Sequence, residues 1–166
     1  MDGEYDRVLA ENARYAAAFD RSALTAAPLR GLAVLTCMDA RIDVEDALGL
    51  RVGDAHIIRN AGGLASPDAI RSIVVSQQLL GTRQIVVIGH TQCGLHGANE
   101  DALRDRVAAS TGAVPTSSFG AFADLEAMVR GQVAILRDEP TLLSVPIHGL
   151  VYEVETGLLC EVARAT

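Results

Sequence analysis

Apolar and polar positions along this chain fall into blocks of two kinds. Short apolar runs occur at Gly31 to Thr36 and Ile85 to Gly89, too short for helices, and a further strand is expected over Ala55 to Ile58. Unbroken rather than alternating apolarity predicts strands buried on both faces, as in a parallel sheet. Two later runs, Ile147 to Glu153 and Leu158 to Val162, flank the turn Glu155-Thr156-Gly157 and predict a hairpin. Between the runs the spacing becomes helical. Residues 2 to 19 place Tyr5, Val8, Leu9, Tyr15 and Phe19 roughly on one face, and a short helix is expected over Val44 to Leu48. The clearest helix start is Ser66-Pro67-Asp68: an N-cap hydroxyl, a proline at the first helical position and an acid in the first turn. That helix carries Ile70, Ile73, Val74, Gln77 and Leu80 and is expected to stop at Gly81. Two more helices are expected over Glu100 to Ala109 and Ala121 to Arg137, separated by a loop rich in Gly, Pro and Ser from Ser110 to Gly120.

Strands alternating with helices predict an α/β fold: a mainly parallel central sheet flanked by helices, with an antiparallel edge from the C-terminal hairpin. Residues 1 to 166 read as one domain, with residues 1 to 27 as an N-terminal helical arm that must dock on its own domain or on a neighbouring subunit.

Composition narrows the functions available. At 166 residues and 49% hydrophobic, the chain can bury a core of its own. Its net charge of −7 and lack of a basic stripe argue against nucleic acid or an anionic membrane as the main partner. No signal-peptide core follows the acidic start, and no apolar run approaches the roughly 18 residues of a membrane span, so a cytoplasmic protein acting on a small molecule is expected. Three cysteines are too few, and odd in number, for a disulfide framework. Cys160, behind Leu158 and Leu159, reads as a small buried hydrophobe.

The other two cysteines stand at strand ends. The run Gly31 to Thr36 leads into C-M-D-A-R (Cys37, Asp39, Arg41), and Ile85 to Gly89 leads into H-T-Q-C-G (His90, Cys93). If these two strands are parallel neighbours, Cys37, His90 and Cys93 meet at the carboxyl edge of the sheet, where open α/β folds place ligand sites. Two thiolates and an imidazole suit Zn2+, one per subunit, with a fourth position left open for catalysis. Asp39 has two possible roles, accepting a hydrogen bond from a metal-activated water or closing the site as a fourth ligand. Arg41 is suited to hold the carboxylate off the metal. Alone, H-x-x-C and C-x-D-x-R are weak signals that core burial or a structural ion pair also explains. Their placement at the ends of two apolar strands, with a βαβ unit between, favours the metal. In R-N-A-G-G, Gly62 and Gly63 either form a turn or offer bare amides to a substrate. His96 is either a proton carrier or an idle loop residue, whereas His56 and His148 read as hydrogen-bonded structural residues.

C-M-D-A-R, R-N-A-G-G, the capped helix and I-G-H-T-Q-C-G together resemble the β class of carbonic anhydrases, over about residues 31 to 98, and the short chain resembles its small prokaryotic branch. The resemblance implies zinc ligands at Cys37, His90 and Cys93, a gating pair at Asp39 and Arg41, and reversible hydration of carbon dioxide to bicarbonate and a proton. It also implies a homodimer or homotetramer, with the arm reaching across to a neighbour. Relatives in the same branch hydrolyse carbonyl sulfide or carbon disulfide with a similar centre. Gln92 stands where Asp or Asn is frequent, Leu95 where Met is frequent and Ala40 where Ser is frequent, and the chain has no Trp. A closed, regulatory zinc site and a cysteine nucleophile paired with His90 are the readings from other classes.

Overall fold

A computed structural model describes residues 3–165. Five strands form one sheet in the order β2-β1-β3-β4-β5: β1 (Leu32–Cys37), β2 (Ala55–Asn60), β3 (Gln84–His90), β4 (Ile147–Tyr152) and β5 (Leu159–Ala163). The first four are parallel, and β5 runs antiparallel to β4 at the edge. The helices are α1 (Glu4–Ala17), α2 (Val44–Leu48), α3 (Pro67–Gln78), α4 (Glu100–Thr111) and α5 (Leu125–Asp138). None is long and apolar enough to cross a membrane.

The unbroken apolarity of β1 and β3 has the expected cause, because most of their positions on both faces are buried. Ala33 and Leu35 with Ile85 and Val87 point into one core, closed by Ile73 of α3 and by Val129, Val133 and Leu136 of α5. Val34 and Ile88 point into the other, with Ile42, Val44, Cys37 and Cys93. Gly89 lets α5 approach the sheet closely, since a Cβ there would lie 2.6 Å from Val129 Cγ2.

Several expected boundaries shift. Ser66 caps α3 through its hydroxyl, but the helix closes at Leu79, two residues before Gly81. Helix α5 begins only at Leu125, because the Asp124 carboxylate accepts from the Ala127 amide and so defines the N-cap. Residues 121 to 123 belong instead to the preceding loop. The helix expected from residue 2 begins at Glu4, with Asp6 accepting from the Gly3 amide, and Asp2 lies outside the described residues.

Two findings concern exposed apolar surface. No residue of α1 is buried; Tyr5, Val8, Leu9 and Tyr15, and Phe19 just beyond it, are half exposed or more. Helix α1 therefore buries no side chain against the rest of the described chain, whereas the end of the arm does touch it, where the Ala26 carbonyl meets His56. Cys160 corrects the expectation of a buried thiol: it is exposed, and its S–H points at Glu153 Oε1 from 3.9 Å. The neighbouring leucines misled, because β5 has a strand on one side only and Leu158 is itself 61% exposed.

Candidate metal centre

Strand register brings the chemistry together. Thr36 pairs with Ile88 across β1 and β3, and its buried hydroxyl donates to the Ile88 carbonyl at 3.0 Å. Both strands therefore end at one level, where β1 delivers Cys37, β3 delivers His90, and the turn after β3 returns Cys93. The two sulfurs and an imidazole nitrogen all lie within 4.8 Å of one another, on three buried residues.

The histidine is prepared for a ligand. His90 Nδ1 lies 2.8 Å from the Thr91 carbonyl oxygen, which can only accept, so Nδ1 carries the proton and Nε2 presents its lone pair. Nε2 is buried and has no hydrogen-bond partner. A buried nitrogen without a partner is costly, and a cation between it and the two sulfurs would satisfy it. Burial, reinforced by the nearby Cys37 sulfur, pushes the Cys93 thiol up, which a cation would reverse by drawing the thiolate. The donor set fits a borderline-soft ion.

The loop after Cys37 is gripped from β2. Arg59 donates to three carbonyl oxygens, those of Cys37 at 2.9 Å, Asp39 at 2.6 Å and Ile42 at 3.2 Å. The turn after β2 is closed by Asn60, whose side chain both donates to Leu64 O and accepts from Leu64 N, at 2.8 Å each. Gly63 within it has φ +66, and a Cβ there would stand 3.0 Å from the Thr36 carbonyl carbon and 3.1 Å from the Cys37 nitrogen. Only glycine lets this turn lie against the strand ends that carry Cys37 and His90.

Asp39 and Arg41 form a bidentate pair. Arg41 Nε donates to Oδ1 at 2.9 Å and Nη2 to Oδ2 at 2.8 Å, while the Arg41 amide adds a third bond to Oδ1 at 2.9 Å. These bonds hold the Asp39 carboxyl well below the usual carboxylate range. Oδ2 stands 3.9 Å from His90 Nε2, so the carboxylate faces the ligand cluster while engaged by Arg41.

Leu95 and Phe122 pack against the cluster that contains both thiols. Phe122 also lines an open cavity of about 570 Å³ with Leu64, Ala65, Gln132 and Met128. His96 is committed to this wall: its ring stacks on Phe122 with centroids 5.4 Å apart, and Nε2 donates to the Ala123 carbonyl at 3.0 Å. His56 bonds Ser76 and the Ala26 carbonyl, and His148 accepts from the Ala165 amide. Sequence reasoning overlooked Arg59, which stood in view within R-N-A-G-G. It also overlooked Glu100, whose carboxylate accepts from Ser118, Gly120 and Ala121 and fixes the loop that leads to Phe122.

Comparison with known proteins is consistent in direction. A family model described as carbonic anhydrase matches residues 32–117. The β-carbonic anhydrase 1 of Mycobacterium tuberculosis is 39% identical over 158 residues, covering 95% of this chain and 96% of that protein. A carbon disulfide hydrolase of Acidithiobacillus thiooxidans is 38% identical over 151 residues, covering 78% of this chain and 76% of that protein. The crystal structure of a carbonic anhydrase from Streptococcus mutans superposes with a TM-score of 0.92 at 36% identity, covering 98% of this chain and 99% of that one.

Proposed function

Because this chain belongs to the β-carbonic anhydrase family, we propose that it catalyses the reversible hydration of carbon dioxide to bicarbonate and a proton, with one zinc ion held by Cys37, His90 and Cys93. The observation that carries this reading is the buried, partnerless Nε2 of His90, set between two thiols and facing a carboxylate. When bound, zinc supplies Lewis-acid activation of water near neutral pH.

The chain's own residues then have separable tasks. Two thiolates and a neutral imidazole balance the charge of a dication, and the Thr91 carbonyl fixes the imidazole tautomer. With its pKa depressed by Arg41, Asp39 is too weak a base to take a proton outright at neutral pH. It acts instead by accepting a hydrogen bond, which orients the attacking water. Arg41 occupies both carboxylate oxygens and so keeps Asp39 from closing the site as a ligand. Leu95 and Phe122 give a small apolar electrophile a dry wall, and Gly62 leaves room beside Leu64 and Leu95.

A second substrate class has a specific observation in its favour, the similarity to carbon disulfide hydrolases. Carbon disulfide and carbonyl sulfide are also linear, apolar and electrophilic at carbon. Side-by-side assays of CO2 hydration and of sulfide release decide between them. Faster hydration supports the first reading, and sulfide release that outpaces hydration overturns it.

A homo-oligomer completes the proposal. The exposed apolar face of α1, together with the half-buried Leu32, Ile57, Val86 and Leu150 on the second sheet face, is surface that a second copy would cover. Light scattering of wild type and Leu9→Asp is expected to show a larger species in the former and dissociation in the latter.

A further inference from the structure

Arg41 has a second partner besides Asp39. Its Nη1 donates to Gln92 Oε1 and its Nη2 to the Gln92 carbonyl oxygen, both at 3.0 Å. The Gln92 side-chain amide in turn donates to Glu155 Oε1, and Glu155 Oε2 accepts from the Thr91 hydroxyl at 3.1 Å. The Thr91 oxygen itself accepts from the Val154 amide at 3.0 Å. The turn between β4 and β5 is thus fastened to the segment between His90 and Cys93. Gln92 is the only residue other than glycine with positive φ, +54, among the described residues. In that disfavoured conformation its carbonyl and its side chain both reach the same guanidinium.

We infer that Glu155 is a positioning residue: through Gln92 it fixes the Arg41 guanidinium, and with it the direction in which Asp39 faces the ligand cluster. The polarity of the amide makes the argument. A glutamine on the surface turns freely about its last torsion and can present either end. A carboxylate accepts only, so Glu155 must receive the NH2 end, and Oε1 is left for Arg41. The guanidinium plane is then held along two edges, by Asp39 and by Gln92. With Gln92 released, the Arg41–Asp39 pair can pivot as one body, and the carboxylate moves with it. Neither Gln92 nor Glu155 is hydrogen-bonded to Asp39, and the side-chain contacts that lead from them to its carboxylate run through Arg41. This deepens the function proposed above and rests on it.

The test uses Glu155→Ala, in an exposed turn, and Gln92→Gly, which removes the side-chain bridge between Arg41 and Glu155 while relieving the positive φ. In chelator-stripped protein, solvent exchange of the Arg41 Nη1 protons, which face Gln92 Oε1, followed by nitrogen-15 NMR at low temperature, is expected to be at least about tenfold faster in both variants than in wild type. In zinc-loaded protein, Glu155→Ala is expected to lower kcat/KM by about 3- to 10-fold at unchanged zinc content. Combined with Asp39→Ala it is expected to add no further loss, because both changes act on one carboxylate. Unchanged Arg41 exchange in both variants overturns the inference, as do losses that multiply in the double variant. If wild type hydrates no CO2, the functional reading fails by itself, and Arg41 exchange in stripped protein still decides whether Glu155 positions the pair.

Discussion

Asp39 Oδ2 stands 3.9 Å from His90 Nε2 while both oxygens of that carboxylate are engaged by Arg41. The carboxylate is near enough to act beside a cation held by the histidine, and in the proposed mechanism its bidentate partner keeps it from becoming a ligand. Replacing Asp39 by Ala is therefore expected to lower kcat/KM by about 10²-fold, the scale of a misoriented reactant. Zinc content is expected to stay near one per chain. Stopped-flow hydration assays with metal analysis check both, and a fall in bound zinc to match the lost activity would make Asp39 a ligand instead.

Metal removal should reveal how much of the fold depends on the site. The larger core is built from Val, Ile, Leu and Ala and contains none of the three candidate ligands, so stripped protein is expected to keep its circular dichroism. Its Tm is expected to drop, and to recover on readdition of zinc, because a ligand bound only to the native state stabilises it by mass action. Differential scanning calorimetry with and without chelator reads this directly.

Gly63 packs backbone against backbone beside Cys37. Gly63→Ala combines φ +66 with a Cβ at 3.0 to 3.2 Å from backbone atoms of Thr36, Cys37 and Ile88. A cost of about 2–3 kcal/mol is expected, with weaker zinc binding because the strand ends must separate. Chemical denaturation measures the first and competition with a zinc chelator the second. Gly81→Ala, where φ is +79 but nothing lies within 4 Å, is expected to weaken folding without weakening zinc binding.

Acid stability should carry a signature of Glu100. Hydrogen bonds from Ser118 first, then from backbone amides of the loop, lower its pKa from the ordinary 4.5 to about 2. A group depressed in the folded state stabilises above its unfolded pKa, and that contribution is lost as pH falls through the folded value. Glu100→Gln is therefore expected to be less stable than wild type at pH 7. The gap should close progressively between about pH 4.5 and pH 2, as urea midpoints across that range would show. A gap that does not change with pH contradicts the assignment.

Much of this architecture was legible because parallel strands write themselves as unbroken apolar runs, and because the residues that end those runs are the ones a sheet edge gathers. Ser66-Pro67-Asp68 announced α3 through local chemistry alone. What escaped notice depended on distance or on context. Gln92 meets Glu155 across 63 residues, and Arg59 reaches carbonyls some 20 residues earlier, so neither contact has a local pattern. Cys160 was misjudged from apolar neighbours because burial on β5 depends on what covers the sheet edge. The start of α5 was placed early because Ala121, Phe122 and Ala123 look helical, yet Phe122 and Ala123 are engaged in holding His96.

The most direct test of the account is CO2 hydration followed by stopped flow as zinc is titrated into stripped protein, in wild type and in Cys93→Ala. The account predicts a rate that rises linearly with zinc and saturates at one ion per chain in wild type, with no comparable rise in the variant. Full activity in stripped protein, or in Cys93→Ala, would contradict it.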